Sequence, residues 1–288
     1  MYESFYGLKE EPFRLTPDSR LCYNHASYKN AKAYMHYALY RGEGFVVVTG
    51  NPGTGKSTLI SNLMSEFDGS QVRCTNLNCT QLDGDDLIRL IALNFGIDSN
   101  TEYKSLILHK VKELLLQLHS EGRRSLLIID EAQDLSASAL EELRLLTNLQ
   151  QNNQPLLQIF LVGQSELRQT ISAPNLEQLR QRVIATCHLK PLSVEDTQKY
   201  ILYRLSQVGW KMDPTFEPAV FPVIHQASRG TPRIINLICS RLFLHGMVED
   251  KHHIDLKDIK EVVKSLVEEE LLQGEELTAP PATTLKSI

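Results

Sequence analysis

Eight consecutive residues, GNPGTGKS at positions 50–57, set glycines, a lysine and a serine at the spacing G-x-x-x-x-G-K-[ST]. Glycines let a backbone curl until its N–H groups converge. A helix starting there adds positive potential, and the product is a cradle for phosphate oxygens. Lys56 would reach the β- and γ-phosphates of a nucleoside triphosphate, and the Ser57 hydroxyl would ligate Mg²⁺. Gly50, Asn51, Pro52, Gly53, Thr54, Gly55, Lys56, Ser57 and Thr58 are therefore the candidate ATP-binding set.

LLIIDEAQ (126–133) supplies a second half. Asp130 ends an apolar run, where a carboxylate can hold Mg²⁺ and its water shell beside the phosphates. Glu131 follows, an acid suited to orient and deprotonate an attacking water. Alone, such a pair is equally a solvated strand exit; downstream of a phosphate loop it completes a site. In FLVGQSEL (160–167), Gln164 offers a side-chain amide to the γ-phosphate or the attacking water. LEQLRQRV (176–183) holds Arg180 and Arg182 close together, and either could complete a neighbouring subunit's site and stabilise transition-state charge. A solvated helix face is the alternative, and the spacing does not choose between the two arginines. In RGTPRIIN (229–236), Thr231 is a possible N-cap with Pro232 at the first helical position. That puts Arg233 in a first turn, from which it could reach across to phosphates or sit in a surface ion pair.

These residues need a scaffold, and the periodicity supplies one. Phe45–Thr49 is a continuous apolar, β-branched run of the kind buried on both faces of a parallel sheet. Further strands are expected at 71–78, 125–130, 156–163 and 183–189. Helices are expected at 26–41 (Ala31, Tyr34, Met35, Ala38 and Leu39 on one face), 85–95, 103–120 and 138–149. In the last of these, Ser138 and Glu141 have capping-box spacing. Alternating strands and helices imply the α/β class. From about residue 191 the pattern is helical with no strand run. The expected division is an N-terminal arm and helix (1–44), an ATP-binding core (45–190), a small all-helical lid (191–272) and a disordered, Pro- and Thr-rich tail (273–288).

At 288 residues, 42% hydrophobic and 23% charged, the composition is that of a globular protein. The net charge of −5 gives no basic field of the kind common in nucleic-acid binders. Cys22, Cys74, Cys79, Cys187 and Cys239 are scattered, and Cys74 and Cys79 are too widely spaced for C-x-x-C. They read as buried or idle thiols in a reducing compartment. No basic-then-apolar leader opens the sequence and no run of about 18 apolar residues crosses it, so a cytoplasmic protein is expected.

The ordered set TGNPGTGKS, IIDEAQ, VGQSEL, LRQRV and GTPRIINLIC resembles AAA+ ATPases. FYGLKEEPFRLTPD, ahead of the phosphate loop, resembles the ExeA group (general secretion pathway protein A), which includes pilus-biogenesis ATPases. MYESFYGL and AYMHYALYRGEGFVVVTG are most similar to relatives associated with exosortase and exopolysaccharide loci. Over about residues 1–270, the resemblance implies a P-loop AAA+ core with a five-stranded parallel sheet and a helical lid. It also implies a homo-oligomer with ATP and Mg²⁺ at subunit boundaries and work with a protein partner on envelope machinery. It makes Gln164 sensor 1, Arg180 or Arg182 the finger, and Arg233 sensor 2. Secretion proteins of the group carry a membrane span and a periplasmic, peptidoglycan-binding part after the ATPase. The sequence here ends in a short polar tail, so direct action on the cell wall is not expected; the expected location is cytoplasmic, peripheral at the inner membrane. The core is also similar to TniB- and TnsC-type transposition regulators, which makes DNA an alternative partner. The acidic charge and the arm favour the envelope reading.

Overall fold

A computed structural model describes residues 1–16, 18–67, 71–78, 82–98 and 103–272. Cys79 and the 273–288 tail lie outside the described residues. The chain divides into two compact units: Ala26–Pro52 with Lys56–Lys190, and Met1–His25 with Gly53–Gly55 and Pro191 onward.

The first unit, the core, is built on five strands: β1 (Phe45–Gly50), β2 (Val72–Asn78), β3 (Arg124–Asp130), β4 (Leu157–Gly163) and β5 (Val183–Leu189). They lie in the order β2-β3-β4-β1-β5, and every pairing is parallel. The order explains the sequence pattern. β1 and β4 are interior strands, buried along their whole length, and so read as unbroken apolar runs. β2 is an edge strand and alternates. The helices are α1 (Ala26–Arg41), α2 (Lys56–Phe67), α3 (Gly84–Asn94), α4 (Lys104–Ser120), α5 (Ala137–Leu146) and the short α6 (Glu166–Ile171) and α7 (Glu177–Arg180). One sheet face (Phe45, Val47, Leu127, Ile129, Ile159, Leu161) packs on apolar stripes of α3, α4 and α5, such as Leu87, Ile91, Val111, Leu115, Leu140 and Leu143. α1 and α2 pack elsewhere on the sheet, α1 against β5 and β1, α2 against β1 and β2.

Two local expectations are corrected. On α1, Tyr34 is 52% exposed and Tyr28 is buried in its place, so the buried face is rotated toward the helix start. At α5 the cap is Ser136, whose hydroxyl accepts from the Ala139 amide at 3.1 Å, rather than Ser138. With the cap two residues earlier, Glu141 is free to pair with Arg144. The described cysteines form no disulfide. Burial pushes the Cys74 thiol up to about 12 and the Cys187 thiol up to about 11, so neither is a reactive thiolate.

The helical unit contains α8 (Val194–Gln207), α9 (Val220–Ser228), α10 (Pro232–Val248) and α11 (Leu256–Glu268). Ser193 caps α8, and Asp255 with Asp258 forms a capping box on α11. Where the sequence reads only helix, a short parallel bridge joins Thr215–Phe216 to His253–Ile254. The N-terminal arm is part of this core. Tyr2, Tyr6 and Phe13 bring their rings to within 5.6, 5.2 and 5.5 Å of the Phe243 ring, and Phe216 closes the group at 6.0 Å. The Tyr6 hydroxyl donates to the Lys251 carbonyl (3.0 Å), and the Lys9 amide donates to the Val208 carbonyl (2.9 Å).

Candidate nucleotide site

β1 ends at Gly50 and α2 begins at Lys56, so the loop between them lies at the carboxyl end of an interior parallel strand. In sheets of this type ligands bind in that crevice. The turn needs glycine at two places, Gly53 (φ +80°) and Gly55 (φ +99°), where an L side chain would be strained. Lys56 is buried, and its ammonium donates to the loop carbonyls of Gly50 at 2.9 Å and Asn51 at 3.4 Å. Burial pulls its pKa below the ordinary lysine range, while the Glu131, Asp130 and Glu166 carboxylates pull it back up.

β3 carries Asp130 to the same end of the sheet. Its Oδ2 accepts from the Ser57 hydroxyl at 3.4 Å and its Oδ1 from the Glu131 amide at 3.0 Å. Burial raises the Asp130 pKa and the neighbouring Glu131 charge adds to the rise; the Glu131 amide, Lys56 and Ser57 oppose it. Around Lys56 the acids outnumber the bases. That imbalance, with the Ser57 hydroxyl in contact with Asp130, fits a divalent cation coordinated by oxygen. Among the described residues no group of three or more His, Cys, Asp or Glu is placed to hold a metal by itself. Mg²⁺ here would take its remaining ligands from phosphate and water.

Glu131 turns the chain out of β3 in the left-handed region (φ +53°). The turn brings Gln133, on a single 3₁₀ turn, back over the end of β4. Its Nε2 donates to Glu131 Oε2 at 2.9 Å, and its Oε1 accepts from the Gln164 amide at 2.8 Å. Gly163 makes room: a Cβ there would lie 2.6 Å from Gln133 Oε1. The Ser165 hydroxyl donates to Asn51 Oδ1 at 3.2 Å, tying the exit of β4 to the phosphate loop. Sequence reading missed Gln133, although it stands inside the motif; its signal is a long amide three residues beyond a strand-ending aspartate. Gly163, whose need is proximity rather than dihedral, gave no sequence signal.

The two arginines have different surroundings. Arg182 is half-buried, donating through Nη1 to the Arg144 carbonyl at 3.2 Å and to Thr147 Oγ1 at 2.7 Å. Arg180 ends α7, is exposed and pairs with Glu177 at 3.0 Å. Arg233 belongs to the helical unit, in the first turn of α10 after Thr231 and Pro232 as expected, although Thr231 makes no side-chain cap bond. Within that unit its amide donates to the Gly53 carbonyl at 3.2 Å, and a Cβ on Gly53 would meet the Arg233 Cβ at 2.8 Å.

Residues 39–171 match the AAA domain model. General secretion pathway protein A of Aeromonas hydrophila is 38% identical over 90% of this chain. The chain thus carries an AAA domain over residues 39–171 and is ExeA-like. It spans 47% of that relative's length. Solved structures share the fold. The ORC2 protein of Aeropyrum pernix, in ADPNP–ADP complexes, matches with a TM-score of 0.60 at 16% identity, covering 86% of this chain and 72% of its own. Cdc6p of Pyrobaculum aerophilum gives 0.64 at 16%, covering 91% and 70%. The RuvB Holliday junction branch migration motor of Thermotoga maritima gives 0.54 at 22%, covering 83% and 68%. The expected P-loop AAA+ core with a five-stranded parallel sheet and helices following it is therefore the fold observed. Among the described residues no helix is long and apolar enough to cross a membrane.

Proposed function

We propose that this AAA+ protein binds ATP with Mg²⁺ at the carboxyl end of its sheet and hydrolyses it. The observation that carries the reading is the convergence of buried Lys56, the Ser57–Asp130 pair and Glu131 beside one glycine-bearing turn. Residues 50–58, all but Pro52 through their backbone N–H groups, cradle the phosphates, and Lys56 exchanges its carbonyl partners for β- and γ-phosphate oxygens. Ser57 and Asp130 would hold Mg²⁺, which supplies charge neutralisation on the phosphates. Glu131 orients an attacking water and takes its proton, and Gln164 contacts the γ-phosphate. Arg233 is assigned as sensor 2 on the resemblance alone.

Arg180 acts as the finger in the neighbouring subunit of a homo-oligomer. The half-buried Arg182, by contrast, is committed to Arg144 and Thr147 of its own core. The likeness to general secretion pathway protein A supports a role, with a protein partner, in a cell-envelope secretion or polysaccharide-export system on the cytoplasmic side. The same likeness weighs against a DNA-borne transposition regulator. Two variants test the chemistry. Lys56→Ala abolishes nucleotide binding, and Glu131→Gln keeps binding while stopping turnover. Normal hydrolysis by Glu131→Gln would remove Glu131 as the base.

A further inference from the structure

We propose that Gln133 is a positioning residue that couples the end of β4 to the orientation of the general base. This rests on the reading of Glu131 as that base. The amide can face only one way. Its partner on one side, the Gln164 N–H, is solely a donor, and its partner on the other, the Glu131 carboxylate, is solely an acceptor. Oε1 must therefore meet Gln164 and Nε2 must meet Glu131, so the side chain is a bridge with a fixed polarity.

The bridge engages only Oε2 of Glu131, which leaves the second carboxylate oxygen to take a proton from water. Because its other end grips the backbone of Gln164 rather than the side chain, it follows any displacement of the strand end. A shift of β4 when Gln164 meets a γ-phosphate is passed through one rigid amide to the base. The left-handed turn at Glu131 and the missing side chain at Gly163 both serve this geometry. The turn returns Gln133 toward β4, and a Cβ on residue 163 would occupy the space 2.6 Å from Oε1. Glu131 is thereby poised by the element that senses the substrate, and hydrolysis waits on correct seating of the terminal phosphate.

The test uses the full chain and steady-state ATP hydrolysis, with binding of a fluorescent ATP analogue measured in parallel. Gln133→Met keeps length and volume but can neither donate nor accept as the amide does. It should lower kcat roughly 10- to 100-fold with KM and nucleotide affinity unchanged, as expected when a reacting group is misplaced rather than removed. Gly163→Ala, whose methyl would lie 2.6 Å from Gln133 Oε1 and 3.2 Å from both the Gln133 backbone nitrogen and Leu167 Cδ2, should reproduce that split. Gln133→Glu offers Glu131 a like charge near neutral pH and a donor once protonated, so its kcat relative to wild type should rise as pH falls from 8 to 6.

In the Glu131→Gln background, Gln133→Met should cost nothing further. Full kcat in Gln133→Met, a loss confined to affinity, or a pH-independent ratio for Gln133→Glu overturns the coupling. If instead Glu131→Gln turns over like wild type, the base assignment has failed, and the bridge falls with it. If Gln133→Met does not fold, Gly163→Ala decides alone.

Discussion

Replacing Arg182 and Arg180 by alanine separates a structural arginine from a catalytic one. Arg182→Ala loses two hydrogen bonds from a charged donor, at 2.7 and 3.2 Å, while the Arg144 carbonyl near the end of α5 keeps the Thr147 hydroxyl as a donor at 2.7 Å. Bonds of this kind contribute about 1.5–3 kcal/mol each when buried. At half burial, and with the longer bond weak, the pair is worth about 2 kcal/mol. For a unit of this size that is a fall in Tm of roughly 4–8 °C. Arg180 loses an ion pair whose partners are 54% and 53% exposed, worth at most about 0.5 kcal/mol after solvent screening. Its Tm should stay within about 2 °C.

Activity runs the other way. Arg180→Ala should lose roughly 10³-fold or more in turnover, the range for an arginine finger, with nucleotide binding intact. Arg182→Ala should retain turnover at temperatures where it is folded. Thermal unfolding of each variant with and without nucleotide, alongside ATPase assays, measures both. Mixing Arg180→Ala with Lys56→Ala subunits should restore part of the activity through shared sites. A stable but inactive Arg182→Ala, or an Arg180→Ala that turns over normally, would refute the reasoning.

Three further outcomes follow from the helical unit and the loop. Phe243→Ala empties the centre of the aromatic group and should cost about 3–5 kcal/mol, seen as a lower denaturation midpoint in urea. Burial holds the imidazoles of His25 and His225 below the ordinary histidine pKa, so the unfolded chain binds more protons. Stability from these groups is complete above about pH 6.5 and is lost as pH falls through their folded values. Urea titrations from pH 7.5 to 5 should show that loss, and His225→Gln should shrink it. Gly53→Ala should impair nucleotide binding in a calorimetric titration without unfolding the chain. The position has φ +80°, and the added methyl meets Arg233.

The parts legible in the sequence were those written in short range. Phe45–Gly50 and Leu157–Gly163 announce themselves because burial on both faces removes polar residues from the run, and Gly50 to Ser57 because a phosphate cradle dictates both residue type and spacing. What escaped depends on partners far along the chain. The bridge from Gln133 needs Gly163 and the Gln164 amide, thirty and more residues away. The difference between Arg180 and Arg182 is made by Arg144 and Thr147. The aromatic residues of the arm are plain in the sequence, but nothing local says that its rings surround Phe243.

That ring arrangement has a consequence for synthesis. The helical unit is sewn from residues 1–25, Gly53–Gly55 and the last third of the described chain, with the α/β core making up the rest of the sequence between them. Tyr2, Tyr6 and Phe13 leave the ribosome well before their partner Phe243, which is made more than two hundred residues later. The core can close as soon as β5 emerges, whereas the arm must wait with its aromatic side chains in water. The long loop this contact closes makes the helical unit the slow step of folding. The waiting arm is the segment most open to chaperone capture or aggregation on the way.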